Sequence, residues 1–450
     1  MAVRLRHVSG LRGRRRSFRE NFSWTFVGNV VFSACNWGVL CVLAKLGTPE
    51  MVGGYALAVA VSSPIVLLFG LRLRLVQATD ARGQYEFGTY LGLRLLMMAL
   101  ALVVIAGVTW LGGYRPAAAA VIVAVGVIGA VDALSDVVYG LFQKHERMDR
   151  IATSLMIRGP LSLLAFSVAV WTTGSVFWGA LSIAAAYGVT FLAWDLPHAV
   201  RERVRSRDSA TVLEAAAADA PDPVASRGTW WRSQMLLLGT TAFPLGFAVL
   251  VGNLGVQVPR YFVERQLGTR ELGLYTAMAS IINVGLTFMT ALWETATPRL
   301  ARHHRRREIG AFRRLVLRLM GVGSLLGLLV ILGAVIAGRP LLTLVYRSEY
   351  AERMDVFLWL MAFGALQYAT GVIGYAAASM RKFWWQLSIQ AGTLASTTLL
   401  CALLIPRYGL LGAAWAQLLA FTLSRFLFGA VLVRHAEPVR EGSSYARSTT

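Results

Sequence analysis

The sequence has little of what builds a soluble catalytic domain or a disulfide-linked one. Only 15% of its 450 residues are charged, and it has 3 cysteines. Cys35 and Cys41 are on one predicted helix but not on one face of it, and Cys401 lies far away, so no disulfide or metal framework is indicated. Metal-binding, P-loop and nucleophile-elbow motifs are absent. These absences argue against ATP hydrolysis, and we predict no catalytic residue, no metal and no cofactor.

Apolar residues are abundant instead, at 56% of the chain, which is more than a water-soluble core of ordinary proportions requires. They recur in stretches of about twenty residues, each long enough to cross the roughly 30 Å hydrocarbon layer as a helix. The alternating segments that form membrane-spanning strands are absent. The predicted spans are residues 21–43, 55–76, 90–110, 117–142, 151–171, 176–194, 235–258, 272–297, 315–337, 356–380, 383–405 and 410–433.

The positions of Lys and Arg predict how these spans are oriented. Most of the 44 basic residues fall in the N-terminus, the even-numbered loops and the C-terminus, a pattern that places both termini in the cytoplasm. The net charge of +21 therefore reflects topology, and because no nucleic-acid recognition fold accompanies it, no nucleic-acid partner is predicted. Arg12, Arg14, Arg15 and Arg16 form a cluster of the kind that attracts anionic membrane lipids.

The two halves of the chain resemble each other. The matching positions are 27–29, 46–48, 50, 54–55 and 58 in the first half and 251–253, 267–269, 271, 273, 275 and 279 in the second. Because each half holds six helices, both run in the same direction and are related by an axis along the membrane normal. We therefore predict an all-α polytopic membrane protein of about twelve helices, in two pseudo-symmetric six-helix lobes around a central cavity. Its predicted parts are a basic N-terminus (1–20), an N-lobe (21–197), a cytoplasmic linker (198–230), a C-lobe (231–434) and a cytoplasmic tail (435–450).

Four segments carry a resemblance to a known family. They are residues 43–58, residues 135–150 (SDVVYGLFQKHERMDR), residues 298–301 (PRLA) and residues 408–416 (YGLLGAAWA). These helix-end and turn patterns resemble those of bacterial polysaccharide flippases, the O-antigen, capsule and teichoic-acid exporters of the multidrug/oligosaccharidyl-lipid/polysaccharide superfamily. The resemblance implies a transporter of the bacterial cytoplasmic (inner) membrane that moves an undecaprenyl-diphosphate-linked oligosaccharide by alternating access. It also implies contact with other membrane proteins of polysaccharide assembly.

Two alternatives remain open at the level of sequence. One is a membrane enzyme of the same pathway, such as a polymerase or ligase, for which the loop at 337–355 is the only external segment with enough charged residues. The other is a multidrug exporter of the same superfamily, which would favour acidic cavity residues because its substrates are organic cations. The arginines of the sequence speak against the latter.

Two polar stripes are candidates for the central cavity. Asn29, Ser33 and Asn36 fall on one face of the first predicted helix, and Asn253 and Gln257 form a shorter stripe on the seventh. The resemblance implies that these two helices line the cavity. The alternative is that the amides join one helix to another by hydrogen bonds. The sequence favours neither reading.

Charged residues at the helix ends are candidates for contacts with the diphosphate. Arg72 and Arg74 end the second span, and Glu294 and Arg299 end the eighth, all toward the cytoplasm. Arg260 lies on the far side, where it would guide the head group. The alternative for each residue is that its charge snorkels to the membrane interface.

Four charges lie deep inside predicted spans. Asp132 and Asp136 share a face of the fourth span, and Arg158 lies at a matching depth on the fifth. We predict an ion pair there. It serves either ion or proton coupling, or a head-group site, or, as the favoured interpretation, only structure, since each unpaired charge costs about 3 kcal/mol. Arg425 on the twelfth span has no evident partner and is a candidate for binding an anion in the central cavity.

Overall fold

A computed structural model of the protein describes residues 18–80, 84–204, 227–380 and 383–435. The first lobe consists of α1 (Phe18–Leu46), α2 (Pro49–Gly70), α3 (Phe87–Leu111), α4 (Pro116–Lys144), α5 (Met148–Thr173) and α6 (Val176–Val204). The second lobe begins with α7 (Arg227–Leu267), α8 (Thr269–Arg305), α9 (Ile309–Val345) and α10 (Met354–Thr370). Gly409 divides the last helical segment, Phe383–His435, into α11 and α12. Three short helices, Leu73–Thr79, Ser348–Ala351 and Val372–Ser379, lie between these elements.

The chain is a multi-pass membrane protein with the predicted all-α fold. Within the described residues, 11 helices are long and apolar enough to span a membrane, and the twelfth, Leu410–Phe426, is shorter. Most helices extend beyond the predicted spans, because polar residues continue the helical hydrogen bonding after the apolar segment ends. Helices α2 and α10 instead end at Gly70 and Thr370, before the predicted ends at 76 and 380, and a short helix follows each of them. Helix α6 reaches Val204 and α7 begins at Arg227, so both ends of the predicted linker are helical. The predicted N-terminal arginine cluster and most of the predicted tail lie outside the described residues.

Glycines with positive φ separate consecutive helices. Gly268 (φ 93°) is the single residue between α7 and α8, and Gly409 (φ 58°, ψ −134°) separates α11 from α12. A side chain disfavours both conformations, so these two positions need glycine. Prolines at the first turns of α2 and α4 mark the beginnings of these helices, where a missing N–H costs nothing.

Small residues bring the helices of the first lobe close together. In the contact between α1 and α5, a Cβ at Gly28 would lie 2.7 Å from the Ala152 Cα, and one at Gly38 would lie 3.1 Å from the Leu163 side chain. Close helix approach through small residues is the usual packing mode in membranes, where burying apolar surface from lipid gains little.

The two lobes touch through a contact between backbones. A Cβ at Gly53 of α2 would lie 3.0 Å from the Gly273 nitrogen of α8, and a Cβ at Gly273 would lie 3.0 Å from the Gly53 nitrogen. Around this contact the Lys45 ammonium donates to the Thr343 carbonyl (2.9 Å), and the Arg347 guanidinium donates to the Lys45 carbonyl (2.8 Å). All of these groups lie at the bundle end opposite the chain termini, which we call the far end.

Toward the other end, where the termini lie, the facing helices of the two lobes become more exposed. In α8, the residues from Leu272 to Ile282 are all buried except two, whereas Asn283, Val284 and Phe288 are exposed. In α1, Val39, Leu43 and Ala44 are buried, whereas Gly28 is the only buried residue among the described side chains between 20 and 38. The lobes are therefore closed at the far end and separated between α1 and α8 toward the termini.

The contact between Gly53 and Gly273 gives a first prediction. We expect Gly53→Val to push the lobes apart at the far end, because the valine side chain would overlap the backbone of α8. Spin labels at Thr48 and Ser348, both exposed residues of opposite lobes, should then report a longer distance in pulsed electron resonance, measured after Cys35, Cys41 and Cys401 are replaced by serine.

Gly54→Val is the matched control, since nothing lies within 4 Å of a Cβ at Gly54. The same distance distribution in G53V and G54V would show that the glycine contact does not hold the lobes together.

Candidate functional site

The polar stripe of α1 faces open space rather than another helix. Asn29 and Asn36 are exposed and Ser33 is half-buried. The amide nitrogen of Asn29 donates to the Thr25 carbonyl of its own helix (2.8 Å), and neither Ser33 nor Asn36 makes a side-chain hydrogen bond within the described residues. Of the two readings of the sequence, this arrangement supports cavity lining, because residues that join helices would be bonded across them.

The shorter stripe on α7 does join helices. The Ser63 hydroxyl of α2 donates to Asn253 Oδ1 (3.1 Å), and Gln257 Nε2 donates to the Ser63 hydroxyl (3.1 Å). Arg260 in turn donates to Gln257 Oε1 (2.6 Å). Gln257 is only 4% exposed. Asn253, Gln257 and Arg260 therefore form a hydrogen-bonded row that connects the second lobe to Ser63 of the first, a residue that the sequence did not single out.

Arg158 and Asp132 form an ion pair between α5 and α4. The Arg158 side chain is 1% exposed, whereas the Asp132 carboxylate is 52% exposed. The guanidinium also lies over the rings of Tyr187 (4.1 Å) and Phe32 (4.9 Å). The cation is thus enclosed by the lobe, and it is the carboxylate that reaches the open space.

The predicted ion pair between Asp136 and Arg158 is wrong, because Asp136 has other partners. Asp136 pairs with Arg94 of α3 (3.2 Å) and with Arg74 (3.4 Å). Arg94 is 2% exposed and also donates to the Gly70 carbonyl (2.6 Å), where α2 ends. The depth argument used for Arg158 applies equally to Arg94, which lies near the start of the third predicted span, and would have found this pair. Neighbouring spans had to be compared on both sides of α4.

Asp195 is a second residue that the sequence did not single out. It ends a π-helical turn in α6, Phe191–Asp195, and is fully buried. Ser135 and Ser154 are its polar neighbours, but neither carboxylate oxygen has a hydrogen bond of normal geometry in the described structure. Single π-helical turns occur often at functional sites. The predicted span ended at 194, one residue too early to include this acid.

Charged residues gather where α2 and α8 approach the terminal end of the bundle. Arg72 and Glu294 are exposed, and Arg74 lies close enough to Glu294 for their charges to interact. Tyr375 of the second lobe lies near both Arg72 and Glu294. Arg299 is also exposed and has no ion-pair partner among the described residues. The predicted cluster is thus assembled from both lobes, at the open end of the gap between them.

A neighbouring cluster holds the loop after α2. Asp80 accepts hydrogen bonds from the backbone nitrogens of Gln84 (3.0 Å) and Tyr85 (3.4 Å) and pairs with Lys144 (3.8 Å). Burial by itself would raise the pKa of the Asp80 carboxyl, but these hydrogen bonds and the charge of Lys144 hold it below its usual value. Asp80, directly after the short helix Leu73–Thr79, is therefore ionised at neutral pH and is joined to α4 through Lys144.

Arg425 is not at the central cavity, where the sequence placed it. It lies inside the second lobe, in the wall of a cavity of about 250 Å³ between α7, α10, α11 and α12. Gly252 and Gly255 line this cavity, whereas Asn253 on the same helix bonds to the other lobe. The helix α7 therefore separates Arg425 from the gap between the lobes.

Two six-helix lobes that close at one end and carry polar groups between them define the class of protein, a membrane transporter fold. No protein-family model matches the chain. Among curated proteins it is similar to the capsular polysaccharide biosynthesis protein CapF of Staphylococcus aureus, with 24% identity over 412 residues, which cover 91% of this chain and 96% of CapF.

Solved structures share the fold at low sequence identity. A point mutant of VcmN, a MATE transporter of Vibrio cholerae, superposes with a TM-score of 0.60 at 15% identity, covering 92% of this chain and 96% of VcmN. A multidrug resistance MATE family transporter of the MOP superfamily matches in its outward-facing form (TM-score 0.61, 12% identity, 95% of this chain and 97% of that one). The inward-facing conformation of a multidrug resistance MATE family transporter of the MOP superfamily matches equally (TM-score 0.61, 13% identity, 96% of this chain and 98% of that one).

The comparisons confirm the resemblance that the sequence showed. This chain has the two-lobed fold of the MOP superfamily transporters and is similar to a protein of capsular polysaccharide biosynthesis. The overall superposition does not distinguish the two transport conformations. The closed far end does, because the contacts of Gly53, Lys45 and Arg347 lie there.

The ion pair of Asp132 and Arg158 gives a second prediction. We expect Asp132→Asn to destabilise the purified protein by about 1–3 kcal/mol, the range for losing a hydrogen bond to a charged group, because Arg158 is left buried without its counter-charge. The full penalty of a buried pair does not apply, since the Asp132 side chain is half-exposed. Thermal unfolding in detergent measures the change.

The double variant Asp132→Leu with Arg158→Met is the control, because it removes the unpaired charge together with its partner. It should be more stable than Asp132→Asn alone. Equal unfolding temperatures for wild type and Asp132→Asn would mean that the pair does not contribute to stability.

Proposed function

We propose that the protein is a flippase that moves a lipid-linked oligosaccharide across the cytoplasmic membrane by alternating access, for the assembly of a cell-surface polysaccharide. The observation that carries the proposal is the gap between the lobes, which is closed at the far end and bordered by α1 with its exposed polar residues Asn29 and Asn36. Such a gap admits a substrate from one side of the membrane only. Its release requires that the far end open, which is the change that alternating access describes.

The chemistry of the gap suits a glycan attached to a diphosphate. Arg72, Arg74 and Arg299 lie at its open end, where guanidinium groups would bind phosphate oxygens through paired hydrogen bonds. Asn29 and Asn36 lie deeper, where amides can donate to and accept from sugar hydroxyls. A lipid-linked glycan, with undecaprenyl diphosphate as carrier, has both features, and its lipid chain would remain in the bilayer. CapF supports the polysaccharide part of this proposal by its name.

The distribution of basic residues supports the direction of loading. The open end carries the chain termini and most of the arginines, so it lies in the cytoplasm if the positive-inside rule holds. We place the protein in the bacterial inner membrane with both termini cytoplasmic. There it would meet substrate made on the inner leaflet, anionic lipids, and other membrane proteins of polysaccharide assembly.

The two alternatives find less support in the structure. Two of the six charges in the external loop suggested for a polymerase or ligase are held in ion pairs, Glu349 with Arg270 (2.8 Å) and Arg353 with Glu271 (3.4 Å). These pairs hold the loop to α8. For a multidrug exporter, the fold of the MATE neighbours is the supporting observation, but the described charges at the open end are mainly arginines, which repel cationic drugs.

A transport experiment tests the proposal. Deleting the gene should abolish surface polysaccharide in a host without a second exporter, and the wild-type gene should restore it. We expect Arg72→Gln with Arg74→Gln to reduce export roughly tenfold, since loss of a charge-assisted hydrogen bond of about 1.4 kcal/mol changes an equilibrium by that factor. Quantitative immunoblotting of surface glycan measures the result.

Arg407→Gln is the matched control, because Arg407 is an exposed arginine at the far end of α11 and should not affect export. Unchanged surface glycan in the deletion strain would contradict the flippase proposal. A gain of sensitivity to cationic drugs in that strain would favour the multidrug exporter, and glycan polymerisation by the purified protein would favour the enzyme.

A further inference from the structure

The second lobe contains a cavity of its own, apart from the gap between the lobes. Its volume is about 250 Å³, and helices α7, α10, α11 and α12 surround it. The polar side chains in its wall are Gln367, Gln390, Thr393, Thr397, Gln417 and Arg425. A cavity that served only packing would be lined by apolar groups and closed by larger residues. This wall instead combines one cation with three amides and two hydroxyls.

Arg425 makes no hydrogen bond or ion pair with any described residue. Its Nε is buried without an acceptor, and its only specific contact is with the ring of Phe421, 4.5 Å from the guanidinium carbon. In the first lobe, by contrast, the buried arginines Arg94 and Arg158 are each paired with an aspartate. An arginine inside a membrane helix normally has a partner, because an unpaired charge there is costly. The side chain of Arg425 therefore suits an anionic ligand.

The same cavity also offers unsatisfied acceptors. Gln390 Oε1 is buried and has no donor within the described residues. The Thr393 hydroxyl donates to the Ile389 carbonyl (2.7 Å), which leaves its oxygen able to accept. Gln417 Oε1 already accepts from the Tyr275 hydroxyl (2.8 Å), so its amide nitrogen is what faces a ligand. A ligand that fits must bring hydroxyl donors as well as a negative charge.

Glycines in α7 make room for such a ligand and leave an approach to it. A Cβ at Gly252 would lie 3.1 Å from the Gln390 amide, so a larger residue would press on this side chain. Gly255 lines the cavity one helical turn later. Val256, also in the wall, is 52% exposed, so the cavity opens beside α7 rather than being sealed within the lobe.

We propose that this cavity binds one acidic sugar unit, a hexuronate, whose carboxylate pairs with Arg425 and whose hydroxyls bond to Gln390 and its polar neighbours. The inference rests on the proposed function, in which the transported substrate is a glycan. A metal cation does not fit, because the described lining contains no carboxylate and Arg425 repels it. Inorganic phosphate offers the charge but few donors for the amide and hydroxyl oxygens.

A binding experiment on the full chain in lipid nanodiscs tests the proposal. Saturation-transfer NMR titrations would use glucuronate, glucose and inorganic phosphate as separate probes. We expect glucuronate to bind at least tenfold more tightly than either of the others. Arg425→Gln should weaken glucuronate binding at least tenfold, which corresponds to about 1.4 kcal/mol. Arg425→Lys should recover part of the affinity, since lysine keeps the charge but not the paired donors.

Two further variants separate this effect from misfolding. Gln390→Leu should weaken glucuronate binding and leave the thermal unfolding midpoint near that of wild type, and Arg407→Gln should change neither. Arg425→Gln should not lower the midpoint, because the arginine has no described partner to lose. Equal binding of glucuronate and glucose, phosphate binding as tight as glucuronate, unchanged affinity in R425Q, or no binding of any probe would each overturn the proposal.

The outcome is independent of the transport test. Specific glucuronate binding by a protein whose deletion leaves the surface glycan intact would retain the site and reject the flippase. Loss of surface glycan on deletion, together with equal binding of glucose and glucuronate, would retain the flippase and reject the acidic-sugar site.

Discussion

The backbone contact between α2 and α8 determines what the rest of the structure can do. At Gly53 and Gly273 the backbones of the two helices approach so closely that neither position has room for a side chain. In the membrane, where apolar surface gains little from leaving lipid, this approach supplies dispersion contacts that larger residues would prevent. Because it lies at the far end, it makes the gap between the lobes accessible from one side only. The polar stripe of α1 and the arginines of the open end take their proposed roles from that asymmetry.

Pairing of charges separates structural from ligand-directed arginines. Arg94 and Arg158 are almost fully buried, and each has an aspartate partner on α4. We interpret both pairs as structural contacts that hold the first lobe together, because an unpaired charge in a membrane helix costs about 3 kcal/mol and each pair removes that cost. Arg425 is the contrasting case, since no described side chain compensates it. The two lobes share a repeated sequence pattern, yet their interiors differ. The first contains buried ion pairs, and the second contains a polar cavity.

The sequence was sufficient for the features that depend on one helix at a time. Hydropathy predicted the twelve helices, and the repeat around Gly28 and Gly252 predicted the two lobes. Matched depth predicted that Arg158 pairs with the acidic face of α4, and Asp132 on that face is its partner. The same reasoning assigned Asp136 to the wrong arginine, because two helices flank α4 and a depth argument does not say which neighbour a side chain faces. The sixth predicted span also ended at residue 194, directly before Asp195, because a carboxylate interrupts an apolar run.

What the sequence by itself determined is the class of the fold, through the length and number of its apolar segments and the resemblance to polysaccharide flippases. The tertiary structure decided which polar residues face one another. Asn253 and Gln257 looked like the stripe of Asn29 and Asn36, but the approach of Ser63 turned one stripe into an inter-lobe contact and left the other open. Arg425 was predicted to line the central cavity but lies in a separate one, for the same reason. The rotation of a helix about its axis is set by its neighbours, and no single helix encodes it.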